Sequence, residues 1–427
     1  VKTTRWKTCF AALREVLAET FQGHRDLLQD SRVADEDQAL LRRVLGRKAR
    51  PSELWPALRL LTRLLHQVHG QPVLVLLDEY DTPLHSAYLH GYYDEAVEFL
   101  RNLLSAGLKD NPHLYKGVLT GVLRVARDSI FTGLNHLAVY GILQPEFSAH
   151  FGFSEDEVRS LLPPSAEGEA QLAVIRAWYN GYLFGGRVVY NPWSVLSFVS
   201  SEEKRPRPFW AETSGNDLIR EMLIDQGLGL SADLETLLSG GAIERELVDQ
   251  FALREARDRP GLVWSLLLHT GYLKPLRLWM EDTELYGALA IPNREVRSIY
   301  KGLLRTWVEQ ALGGGDNRRA LCEAVLRGDA ERLQPLLQTW LLHAVSFFDT
   351  TSHRPPERFY HGFVLGLLVD LAATHRVESN RESGYGRCDA LVVPKKPGAP
   401  GVALELKVRD ARRGETLEGA LAAAHAQ

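Results

Sequence analysis

The amino-acid sequence predicts an α/β protein with a mainly helical middle, and three observations carry that expectation. Residues 8 to 70 and 153 to 340 place apolar side chains at helical spacing. The continuous apolar run Val73-Leu74-Val75-Leu76-Leu77 interrupts that texture, and residues 346 to 427 read as helix, three strands, helix. At 427 residues the chain is long enough for several domains. The changes in texture divide it into 1–150, a mostly helical lid or linker region 151–345, and a C-terminal α/β domain 346–427.

In the first region Phe10, Leu13 and Leu17, then Leu58, Leu61 and Leu65, mark amphipathic helices, with Pro51 and Pro56 as punctuation. The run 73–77 ends abruptly in Asp78-Glu79-Tyr80-Asp81, which predicts a buried parallel strand. A helix around Ala96 to Leu104 and a second strand over Gly117 to Leu123 follow. The basic run Arg42, Arg43, Arg47, Lys48 and Arg50 reads as a solvated helix face.

In the middle region Ser154 with Glu157 three residues later forms a capping box. Asn191-Pro192 reads as an N-cap followed by proline at the first helical position. The aromatic stretch 178–193 is predicted to be the core of a small lid or winged-helix-like subdomain rather than a platform for stacking bases. Residues 199 to 208 read as a polar loop, and helices then dominate to about Trp340, broken at Gly313-Gly314-Gly315.

Composition narrows the function classes. With 45% hydrophobic and 24% charged residues the chain is an ordinary globular one, not collagenous or disordered. Lys+Arg of 50 against Asp+Glu of 54 leaves a net charge of −4, so a nucleic-acid site must be local. Cys9, Cys322 and Cys388 show no Cys-x-x-Cys spacing, and no apolar run approaches the roughly 20 residues of a membrane helix. A reducing, cytoplasmic setting without membrane contact is expected. A first residue Val1 and a helical pattern running through Leu417, Leu421 and Ala424 predict a fragment.

Chemistry concentrates in the C-terminal region. In Val402-Ala403-Leu404-Glu405-Leu406-Lys407-Val408 the apolar residues share one strand face, so Glu405 and Lys407 share the other. The strand 387–393 precedes a short Pro394–Pro400 link, so a hairpin brings Asp389 near Glu405. Two adjacent carboxylates repel unless a cation or proton is shared, which predicts a Mg²⁺ or Mn²⁺ site with Lys407 beside it. Glu357 and His361 lie on the apolar stripe of a helix continued by Val364, Leu368 and Leu371, so their charge points inward. Taken alone, Glu405 and Lys407 read more readily as an ordinary exposed pair on a half-buried strand, and Glu357 as a cap or a partner of Arg358 or Arg381. The full combination favours a metal site.

The runs Glu357-Arg358-Phe359-Tyr360-His361-Gly362, Ser379 to Asp389 and Leu404-Glu405-Leu406-Lys407 resemble the PD-(D/E)xK nuclease domain found behind an AAA-ATPase-like domain in many bacterial proteins. Leu77-Asp78-Glu79-Tyr80-Asp81, Thr120-Gly121-Val122-Leu123-Arg124, Phe131 to Asn135, Trp178 to Tyr182 and Tyr190 to Ser194 are similar to segments of the ATPase-like part. The resemblance implies a partial P-loop NTPase sheet in front and a restriction-endonuclease-like domain behind. It implies metal carboxylates at Asp389 and Glu405, a catalytic lysine at Lys407 and a helix acid at Glu357. It also implies a Walker B pair, with Asp78 holding magnesium and Glu79 orienting water. Arg124 is either a sensor or phosphate-contacting group or a solvated helix arginine.

No Gly-x-x-x-x-Gly-Lys-Ser/Thr and no Gly-Lys dipeptide occurs, so ATP is expected as a ligand only where an upstream phosphate-binding loop is present. The implied activity is metal-dependent hydrolysis of phosphodiesters, of DNA before RNA, with a homo-oligomer left open. The alternative is a signalling or assembly NTPase whose C-terminal domain binds nucleic acid or a partner without cutting it.

Overall fold

The computed structural model describes residues 2–122, 137–210, 230–248, 261–347, 370–383 and 386–405, with Glu255, Arg259, Gly366, Leu367 and a few positions of 416–422. It is a mixed α/β structure with several small sheets. Two compact units are present: one of Val1–Leu143 with Glu246–Thr270 and Met280–Leu285, the other of Gln144–Arg245, Gly271–Trp279 and Tyr286–Gln427.

The first unit opens with α1 (Trp6–Gln22), α2 (Asp35–Leu45), α3 (Pro51–Leu54) and α4 (Ala57–His69). Cys9, Leu13, Leu17 and Phe21 recur every four residues on α1 and are buried there, as the helical period requires. After β1 (Val73–Leu77) come α5 (Thr82–His90), α6 (Tyr93–Leu108) and β2 (Leu114–Leu119). Phe99 of α6 meets Phe10 of α1 edge to face at 5.4 Å. At Gly107 a Cβ would stand 2.8 Å from Leu58 Cβ, so the close approach of α6 to α4 needs a glycine there.

β1 and β2 pair in parallel, as the strand, helix, strand order predicts. The expectation that β1 is wholly buried is overturned. Val73, Val75 and Leu77 turn toward the helices, whereas Leu74, Leu76 and Val118 are exposed, Leu76 by 69%. A continuous apolar run marks a strand but does not reveal how many of its faces are covered. β2 also begins three residues ahead of its predicted start, and Leu123 lies outside the described residues. The basic run is exposed, as expected, and within it Arg43 pairs with Glu53 at 3.2 Å and Arg47 donates to Glu15.

The second unit carries α7 (Glu155–Ser160), α8 (Ala166–Tyr179), the hairpin β3 (Tyr182–Phe184) and β4 (Arg187–Val189), and α9 (Pro192–Ser200). The capping box is present, with Glu157 N donating to Ser154 Oγ at 3.3 Å and Ser154 N to the Glu157 carboxylate at 2.7 Å. Asn191 Oδ1 accepts from Trp193 N and Ser194 N, as an N-cap should. Tyr179, Tyr190 and Phe198 are buried with Val158, Leu172, Ile175 and Val195, so these aromatics are core.

Further along the chain lie α10 (Ser231–Leu238), β5 (Ile243–Leu247), α11 (Leu262–His269), β6 (Lys274–Glu281) and β7 (Glu284–Ala290), and the three strands form a sheet in the order β5-β7-β6. Helices therefore do not run unbroken to Trp340. The alternation of Leu276, Leu278 and Met280 with Arg277 and Trp279 was the available signal.

α12 (Arg294–Leu312), α13 (Gly315–Arg327) and α14 (Ala330–Phe347) then pack together, with Trp340 and Val308 buried. Gly366, Leu367, Asp370 and Leu371 are helical, and a Cβ at Gly366 would lie 3.5 Å from Trp340. Arg318 of α13 donates to Glu309 of α12 at 3.0 Å and pairs with Asp370, both members of that pair being nearly buried. Among the described residues no helix is long and apolar enough to cross a membrane.

Glu295, wholly buried at the start of α12, accepts from Ser194 Oγ at 2.9 Å and from Trp210 N at 2.9 Å. Burial pushes its carboxyl up from 4.5 to about 7, against the opposing effect of these two donors. The folded chain thus holds this proton where the unfolded chain releases it, and stability conferred by the group falls as pH rises from about 4.5 through about 7. Glu295→Gln is expected to remove that slope: the melting temperature of the variant minus that of the parent should rise between pH 5 and pH 8. A difference that stays flat across that range would exclude the effect.

Candidate functional site

The first candidate site lies where β1 and β2 end. Thr120 N donates to Leu77 O at 2.9 Å and Tyr80 N to Thr120 O at 3.0 Å, extending the pairing past the strands. Asp78 and Glu79, both exposed, follow β1 directly. Thr120 Oγ1 donates to Asp78, and Thr82 Oγ1 donates to Glu79 Oε2 at 3.2 Å. Glu79 has φ of 50°, a left-handed backbone that is uncommon for a side chain of this size.

Asp81, which the sequence reading did not single out, organises this corner. It is fully buried, accepts from Val122 N at 2.9 Å and stands 3.3 Å from His85 Nε2. A Cβ on Gly121 would fall 2.7 Å from the Tyr80 ring and 2.8 Å from Asp81 Oδ1, so the Thr120-Gly121 turn has no room for a side chain. The signal for Asp81 was its place just before Thr82-Pro83, at the start of α5. Arg124 lies outside the described residues.

The second site lies on the sheet of β8 (His375–Ser383), β9 (Gly386–Pro394) and β10 (Val402–Leu404), ordered β10-β9-β8 and antiparallel throughout. The first two strands match the expected stretches, the third is a strand over Val402–Leu404 with 406–408 outside the described residues, and the Pro394–Pro400 link is the hairpin connection. Leu404 stands opposite Ala390, and one step further the register sets Glu405 opposite Asp389. Asp389 N donates to Glu405 Oε2 at 3.3 Å. Ala390 and Val392 turn to the buried face, leaving Asp389 with Leu391 and Val393 on the more open one.

A further acid belongs to that open face. Glu378 stands opposite Leu391, so it points to the same side as Asp389 on the neighbouring strand, and it is paired with Arg376. The alternation of β8 was the signal that could have found it. Among the described residues no three His, Cys, Asp or Glu side chains form a metal-binding group. The Asp389 and Glu405 pair nonetheless has the hard oxygen donors that Mg²⁺ or Mn²⁺ takes, since such ions bind through one or two carboxylates and keep several waters. Lys407 and Glu357 lie outside the described residues.

Two family models match this chain. A model described as a predicted AAA-ATPase matches residues 6–131, and a model of the PD-(D/E)XK nuclease superfamily matches residues 355–424. The chain joins an AAA-ATPase-like region to a PD-(D/E)XK nuclease superfamily domain. Asp389 and Glu405 fall within the nuclease match, Asp78 and Glu79 within the ATPase-like one. An uncharacterized protein in the vnfD 5′ region of Azotobacter chroococcum mcd 1 is 27% identical over 341 residues, which cover 78% of this chain and 62% of that protein. The chain thus spans less than two thirds of that relative's length. No solved structure matches.

Proposed function

We propose that this protein is a nuclease that uses Mg²⁺ or Mn²⁺ to hydrolyse phosphodiester bonds, of DNA before RNA, in a chain that also carries a nucleotide-responsive ATPase-like region. The observation that supports it is the register placing Glu405 opposite Asp389 within the nuclease-matching segment. In this reading Asp389 and Glu405 hold the ion, Glu357 completes the acid set and Lys407 stabilises charge on the attacked phosphate. The bound ion supplies a lowered water pKa and a polarised phosphoryl oxygen. The antiparallel register fixes the two carboxylates relative to one another, so electrostatic repulsion between them favours a cation on that face. Asp78 and Glu79 are assigned the Walker B roles, with Thr120 and Thr82 orienting them, and ATP enters only together with a phosphate-binding loop. A reducing, cytoplasmic setting is part of this reading.

The test is cleavage. The chain is incubated with Mn²⁺ and labelled single- and double-stranded DNA and RNA, beside Lys407→Ala and an EDTA control. The parent should cut at least one substrate, and Lys407→Ala should lower the rate on the order of 10² to 10³-fold. A folded, metal-binding parent that cuts none faster than Lys407→Ala does would replace the nuclease by a non-cleaving binding module.

A further inference from the structure

The second unit carries a set of cations that neither site uses. Arg294, Arg297, Lys301 and Arg305 recur at spacings of three and four along α12, so they share one helical face. Arg294 and Arg305 are exposed, and Arg297 and Lys301 half-buried. Among the described residues no carboxylate is ion-paired to Arg294, Arg297 or Lys301, and Arg305 has only a distant Asp370 at 3.8 Å. Lys395, in the link between β9 and β10, donates to Ala372 O and adds its charge to the same group.

These charges press on one another. Burial and then the charges of Arg297, Lys395 and Arg305 hold the Lys301 ammonium below its ordinary pKa, and burial and then Arg294 do the same to Arg297. Crowded, partly desolvated cations repel, and a polyanion laid along them relieves that repulsion while its counterions are released. From Arg294 to Arg305 the helix runs roughly 16 Å, the axial length of about five phosphates of one strand.

We propose that the α12 ridge of Arg294, Arg297, Lys301 and Arg305, continued by Lys395, is the track for the phosphate backbone of the nucleic acid presented to the Asp389 and Glu405 face. The inference rests on the nuclease reading for its ligand, and it adds where the backbone lies. Lys395 links the two, because β9 runs from Asp389 to the turn that carries this lysine.

The experiment is fluorescence anisotropy of a labelled DNA duplex with the whole chain in EDTA, titrated at several salt concentrations. Wild type is compared with Arg297→Ala/Lys301→Ala, Lys301→Arg and Asp389→Asn, each checked for an unchanged melting curve. The double variant should bind at least tenfold more weakly at low salt. Its slope of log affinity against log salt should be smaller by roughly 0.9 per lost phosphate contact. Lys301→Arg should keep the slope, and Asp389→Asn should bind at least as well as wild type. A folded double variant with unchanged affinity and slope overturns the ridge, and cleavage by wild type then leaves the nuclease reading standing. Tighter binding of poly-glutamate than of DNA, lost in the same double variant, also overturns it in favour of an acidic protein partner.

Discussion

Asp389→Asn is expected to abolish divalent-ion binding and with it cleavage. Asparagine keeps the size of the side chain and the backbone N–H that Glu405 accepts, so the register of β9 and β10 should survive. What disappears is one of the two facing carboxylates. An ion that contributes several kcal/mol of charge stabilisation in the transition state is worth a loss on the order of 10³-fold. Calorimetric titration of the whole chain with Mn²⁺ should show a heat signal that the variant lacks, and the cleavage rate should fall in parallel. Ion binding that survives in Asp389→Asn would remove the paired-carboxylate site.

The second large effect is on stability. Asp370→Ala should cost about 3 kcal/mol, the low end of the range for stripping one partner from a buried ion pair, because Glu309 remains to Arg318. Arg305, 3.8 Å from Asp370, and the Cys322 thiol lose a neighbour as well. Denaturant titration should show a lower midpoint with an unchanged slope. A midpoint within error of the parent would mean that packing of Trp340 and Val308 against Gly366 alone holds this helix to α12 and α14.

The elements legible in the sequence were those marked by local chemistry. The β8 to β10 sheet was readable because glycine and proline turns bound three short runs, and the brevity of the Pro394–Pro400 link made β9 and β10 a hairpin with Asp389 near Glu405. The caps at Ser154 and Asn191 were readable because each side chain bonds to a backbone amide two or three residues away. β6 and β7 were not read because Trp279 lies on the same face as Arg277, over which the guanidinium stacks at 4.5 Å, and this blurs the contrast between polar and apolar faces. Glu295 and Asp81 were hidden for another reason. Their burial depends on partners distant in sequence, Ser194 for one and Val122 for the other, and no spacing pattern encodes such a partner. Of the candidate site, the facing pair Asp389 and Glu405 was legible, whereas Glu378 required the register of β8.

The left-handed backbone at Glu79 also has an evolutionary consequence. A residue with a Cβ gives up about 1 kcal/mol in that conformation relative to glycine. Glycine there would make the folded chain more stable, but it would leave Thr82 without its carboxylate acceptor and the strand end without its second acid. The position thus sets thermal robustness against chemistry. Laboratory selection of this chain for heat resistance alone should drift toward glycine at 79, whereas the Walker B role proposed for Glu79 would hold the glutamate in place wherever that role is under selection.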